Sequence, residues 1–105
     1  GTGQFLNIFI QAGDFISGRN VIPVSNFEIV LPSENIFMVD GYGQPVSGVE
    51  DYTNLDNEHL IILSAGAGEG MGFFEFSPIF RLLVPASAHA GTYTSEVLLT
   101  IVPGS

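Results

Sequence analysis

The chain has no cysteine, no lysine and no tryptophan, and its only arginines are Arg19 and Arg81. Without cysteine there is no disulfide framework, no thiolate metal site and no cysteine nucleophile. Two arginines against 11 acidic side chains give a formal net charge of −9, which argues against nucleic acid or an anionic membrane as a partner, because both select a basic patch. Divalent cations remain compatible with that sign. No apolar run reaches about 18 residues, so no membrane span is expected, and no basic segment leads into an apolar one as in a signal peptide. Charge is scarce altogether: 12% of residues are charged and 46% hydrophobic, where an average domain has about a quarter charged. At 105 residues the chain is long enough for one small core and too short for two, and such a chain buries only about 60–70% of its surface. Apolar side chains must therefore stay exposed or meet a partner. The start at Gly1 without methionine suggests processing or excision, and both ends are expected to be docked.

What is abundant is punctuation. Glycine and proline recur at Gly13, Gly18, Pro23, Pro32, Gly41, Pro45, Gly48, Gly66, Pro78, Pro85, Gly91 and Pro103, leaving few intervals that would hold a helix. Between them lie short runs of Ile, Val, Leu, Phe and Thr, the spacing of a small all-β domain. The expected fold is a single antiparallel β-sandwich over residues 1–105, immunoglobulin-like or jelly-roll-like, with about seven strands. These are expected over residues 4–12, 27–31, 36–39, 59–64, 73–77, 79–84 and 93–102.

The last run has the clearest period of two: Tyr93, Ser95, Val97, Leu99 and Ile101 alternate with Thr92, Thr94, Glu96, Leu98, Thr100 and Val102. Around Arg81, the opposite face carries Phe80, Leu82 and Val84, which are expected to be buried. The first run is apolar on both sides, with Leu6, Ile8, Ile10 and Ala12 on one face and Phe5 and Phe9 on the other. A strand of that kind needs cover on both faces, from a central position or from another molecule. Residues 40–58 form the longest polar stretch and read as a long loop or weak hairpin. No internal repeat is evident.

Chemistry-bearing patterns are sparse. The Gly66-Ala67-Gly68-Glu69-Gly70-Met71-Gly72 run lacks the lysine and following helix of a phosphate loop and reads as a strand connection. His59 and His89 stand 30 residues apart without zinc-site spacing. No Gly-x-Ser-x-Gly elbow occurs, and no enzymatic activity is expected. Calcium takes six to eight oxygen ligands, and Glu50, Asp51, Asp56 and Glu58, with Asn54 and Asn57, gather oxygens in a short stretch. They are candidate calcium ligands, or charges that keep an apolar domain soluble. Phe5, Phe9, Phe15, Phe73, Phe74 and Phe76 are candidates for a sugar-stacking platform, or for core and interface.

The C-terminal half resembles a known family. Ile62-Leu63-Ser64-Ala65-Gly66, the Gly68-Glu69-Gly70-Met71-Gly72 segment, Leu82-Leu83-Val84-Pro85-Ala86 and the closing Ala90-Gly91-Thr92-Tyr93-Thr94-Ser95 are similar to the end of WxL-type bacterial surface domains. About the last 45 residues carry the likeness. Phe5 stands where the family's signature tryptophan would fall, and no strands precede it in this sequence. The resemblance implies a secreted, β-rich surface module, with binding to cell-wall peptidoglycan as the family's associated role.

A sandwich short of strands exposes unpaired backbone and an apolar groove, which proteins avoid or fill with a neighbour's strand. The expected function is thus a non-catalytic extracellular structural protein whose identical subunits join into a filament or layer by strand complementation, the alternative being a WxL-like wall-binding module. Residues 1–13, through Phe5, Leu6, Ile8, Phe9 and Ile10, are the expected strand donor. Tyr93, Val97, Leu99 and Ile101 are expected on the acceptor or edge strand.

Overall fold

The computed structural model describes residues 6–40, 44–66 and 73–103. Within them the chain is all-β. Eleven strands follow in order: β1 (Leu6–Ala12), β2 (Phe15–Ser17), β3 (Asn20–Ile22), β4 (Phe27–Val30), β5 (Ile36–Asp40), β6 (Val46–Ser47), β7 (Thr53–Asn54), β8 (Leu60–Ala65), β9 (Phe73–Phe76), β10 (Ile79–Leu82) and β11 (Val97–Pro103). They form a four-stranded sheet ordered β11-β1-β8-β6, a three-stranded sheet ordered β10-β4-β7, and two ribbons, β2-β3 and β5-β9. Every pairing is antiparallel.

The core lies between the two larger sheets. Alternation puts Ile8, Ile10 and Ala12 of β1 on one face, where they pack with Phe27, Ile29 and Leu31 in and beside β4. β8 meets β1 with a register shift: Ile8 faces Leu63 while Phe9 faces Ile61, leaving Ile62 as an extra residue. This bulge lets the adjacent Ile62 and Leu63 both be buried, which strict alternation forbids. On the outer face Ser64 Oγ donates to Asn7 Oδ1 at 2.8 Å.

The polar stretch 40–58 is not a free loop. It holds β6 and β7, and its few apolar residues act as anchors: Val49 and Leu55 are buried in the core. Leu31 N–H donates to the Val49 carbonyl at 2.7 Å and Leu55 N–H to the Phe27 carbonyl at 2.9 Å. Gly48 N–H reaches the Ile62 carbonyl at 3.0 Å, so close that a Cβ on Gly48 would run into the Ile61 carbonyl oxygen. Only glycine fits there.

The β2-β3 hairpin turns on Gly18-Arg19, between paired Ser17 and Asn20. Gly18 has φ +61 and no other described residue a positive φ, the signature of a II′ turn. One turn device occurs twice. Pro23-Val24-Ser25-Asn26 and Pro32-Ser33-Glu34-Asn35 each form a single 3₁₀ turn leading directly into a strand with a buried first residue. In each, the asparagine grips a neighbour with backbone and side chain together. Asn26 accepts from Leu83 N–H and its Nδ2 donates to the Leu83 carbonyl; Asn35 does the same with Ser77.

The shape is drawn out, with extents of 54 × 24 × 19 Å and a radius of gyration of 16.1 Å, against about 13 Å for a compact chain of this length. The β5-β9 ribbon contributes to this. It starts in the core at Ile36 and leaves it, with Phe37, Val39 and Phe73 exposed.

Candidate assembly surface

One flank of the sandwich is sealed by short connectivity. Only residues 48–52 link β6, an edge of the first sheet, to β7, an edge of the second. Val49 and Leu55 plug that flank. The edges farthest from the link are β11 and β10, and among the described residues no further strand pairs with either.

Register shows what the open flank presents. Val97, Leu99 and Ile101 lie opposite Ala12, Ile10 and Ile8, so they share the core-facing side of the sheet. The core does not reach them: they are 44%, 51% and 58% exposed. On the second sheet Phe80 lies opposite the buried Ile29, stacks on Phe27 at 5.4 Å, and is still 44% exposed. The core-facing sides of both sheets overhang the core along this flank. Phe80 and Val84, expected to be buried, are instead exposed, and only Leu82 of that face is half-buried. A two-residue period identifies side chains that share a face; whether that face is covered depends on the strand's place in the sheet.

β1, the expected donor, is paired within its own chain. It is an inner strand of its sheet, paired with β11 through all seven residues and with β8 on its other edge. Ile8 and Ile10 are buried, while Leu6 and Phe9 are half-buried, Phe9 lying 5.5 Å from the His59 ring. The apolar character on both faces thus reflects a central position, the first of the two explanations open to it. Phe5 lies outside the described residues. Tyr93 precedes β11 and is not part of it; its hydroxyl donates to the His89 carbonyl at 2.7 Å. The chain joins β2 beside it through the Ile16–Thr94 bridge.

The four candidate calcium ligands do not converge. Glu50 Oε1 accepts from Ser33 Oγ at 2.6 Å, and Asp56 Oδ1 caps the Glu58 N–H at 2.8 Å. The Asp51 carbonyl takes the Thr53 hydroxyl. Among the described residues no three His, Asp or Glu side chains gather as a metal site requires. The phenylalanines do not form one platform either, since Phe15 meets Phe27 edge-on at 4.9 Å and Phe74 and Phe76 pack against the core. Most of the Gly-rich run lies outside the described residues.

Arg81 is the charged feature on the second sheet. Its Nε donates to Glu28 Oε1 at 2.7 Å across the β10-β4 pair, and its guanidinium lies 3.7 Å over the Tyr52 ring. The Glu28 hydrogen bond raises its pKa above the ordinary arginine value. No described helix is long and apolar enough to cross a membrane. Comparison with protein-family models, curated proteins and solved structures gives no match.

Proposed function

We propose that this protein is a non-catalytic structural subunit, secreted and displayed outside the cell, that joins identical copies into a filament or layer by completing the open flank of its sandwich. The supporting observation is the contrast between flanks: one is plugged by Val49 and Leu55, the other leaves the core-facing Val97, Leu99, Ile101 and Phe80 about half exposed. Full burial of such a side chain is worth about 1.5–3 kcal/mol. Four of them at about half exposure leave roughly 3–6 kcal/mol to be gained from a neighbour, before backbone pairing is counted. The −9 charge keeps the exposed apolar surface soluble between encounters. β1 belongs to the subunit's own sheet, so the joining strand is sought at the flank.

Light scattering over a concentration series, with negative-stain imaging, tests the reading. Ordered assemblies are expected from the unmodified chain, and Ile101→Lys should leave monomers of unchanged secondary structure. A monomer at every concentration, or retention on purified cell walls without self-association, would overturn it.

A further inference from the structure

Resting on that reading, we infer that the strand meeting β11 is β11 of a second copy, in antiparallel two-fold register centred on Leu99. Sheet proteins protect edge strands by shortness, charge or bulges. Every other edge among the described residues has such protection. β2, β3, β6 and β7 are two or three residues long, and β10, β5 and β9 carry Arg81, Asp40 and Glu75. β11 alone is seven residues long, uncharged, and continuous in register with β1.

The hydrogen-bond phase of β11 follows from one contact. Gly13 N–H donates to the Glu96 carbonyl at 3.1 Å, in line with the Ala12–Val97 register. Antiparallel strands exchange bonds at every second pair. Leu98, Thr100 and Val102 therefore turn their N–H and C=O toward β1, and Val97, Leu99 and Ile101 turn theirs to the open edge. A second antiparallel β11 bonds only through those same three residues.

Three registers pair Leu99 within this set. Pairing it with Val97 leaves Ile101 opposite Ser95, outside β11, and pairing it with Ile101 sets Val97 opposite Pro103, whose missing N–H leaves the Val97 carbonyl without a donor. Pairing Leu99 with its own copy sets Val97 opposite Ile101 twice and satisfies every outward N–H and C=O of the three residues. The two-fold axis then runs perpendicular to the sheet, midway between Leu99 and its copy. Both core-facing rows stay on one side and lie beside each other, in an isologous contact that closes a pair, so that this pair is the building block of the larger assembly. A chain carrying −9 is repelled by its own copies, so a contact between them needs a neutral strip, and β11 supplies one. It offers no charge to select a different partner.

The absence of cysteine makes the test clean, since an introduced thiol is the only one. Directly paired Cα atoms lie about 5.5 Å apart, within the about 4.4–6.8 Å that a disulfide spans. Under mild oxidation Leu99→Cys should give a dimer of twice the chain mass. Val97→Cys and Ile101→Cys singly should not, because each thiol is offset from its copy by four residues, about 13 Å. The Val97→Cys/Ile101→Cys pair should cross-link again. Equal cross-linking by Ile101→Cys alone, or a product of any other mass, would overturn the register. Assembly seen by light scattering without a Leu99→Cys dimer would overturn this pairing while leaving the assembly reading in place; a strictly monomeric unmodified chain would overturn both.

Discussion

Leu99→Thr separates the two roles of β11. Leu99 is 51% exposed, so about half of the roughly 1.5–3 kcal/mol of full burial is realised within the subunit and half is left for a partner. Threonine keeps the strand preference and removes most of the apolar surface. The subunit should lose only about 1 kcal/mol, read from a urea melt. Each two-fold contact contains Leu99 twice, so association should lose about 1.5–3 kcal/mol, raising Kd roughly 10- to 150-fold. Sedimentation equilibrium across a dilution series measures that Kd. An unchanged Kd with a stability loss above about 3 kcal/mol, the cost of a core truncation, would refute the reasoning, because it would make Leu99 a core residue and not a contact.

Leu55→Ala, in the middle of the acidic stretch, should cost about 2–5 kcal/mol in a urea melt because its side chain is fully buried; a loss under about 1 kcal/mol would show that the flank is not plugged there. Gly48→Ala should destabilise by about 1–3 kcal/mol as the chain shifts away from the Ile61 carbonyl, and a neutral outcome would contradict that close approach. Asn26→Ala and Asn35→Ala should each cost about 0.5–1.5 kcal/mol, with hydrogen exchange faster at Leu83 and Ser77 respectively and not the reverse. Excess calcium against EDTA should leave Tm unmoved, since the carboxylates of residues 50–58 do not converge; a rise of several degrees would show that they do.

The strands legible in the sequence are those where an apolar run is long enough to show a period. β1, β4, β5, β8, β9 and β10 lie where the spacing puts them, and β11 occupies the second half of its run. The short elements were hidden by polarity. Phe15-Ile16-Ser17 and Asn20-Val21-Ile22 are broken by a glycine turn whose Gly-x pair was the available signal. Val46-Ser47 and Thr53-Asn54 are too brief to carry periodicity, and isolated Val49 and Leu55 among acids were the clue to a packed segment. The repeated Pro-x-x-Asn turn is also present in the sequence, but its meaning lies in a hydrogen-bond pattern with residues more than 40 positions away. The open flank was legible only in part. Alternation placed Val97, Leu99 and Ile101 on one face; that the face overhangs the core follows from strand order, which local pattern does not encode.

The pairing of β1 with β11 has a consequence in time. Leu6 sits opposite Pro103, so β1, an inner strand of the larger sheet, is made ahead of β2 to β10 and waits for β11 to follow them. Until residues 97–103 arrive, one edge of β1 is unsatisfied, and contacts between such distant segments form slowly. Before it folds, each chain is thus receptive along β1 to the same strand that, once folded, it offers along β11. Folding needs to be paced against local concentration, because crowded nascent copies would exchange β11 strands with one another and entangle before they could line up.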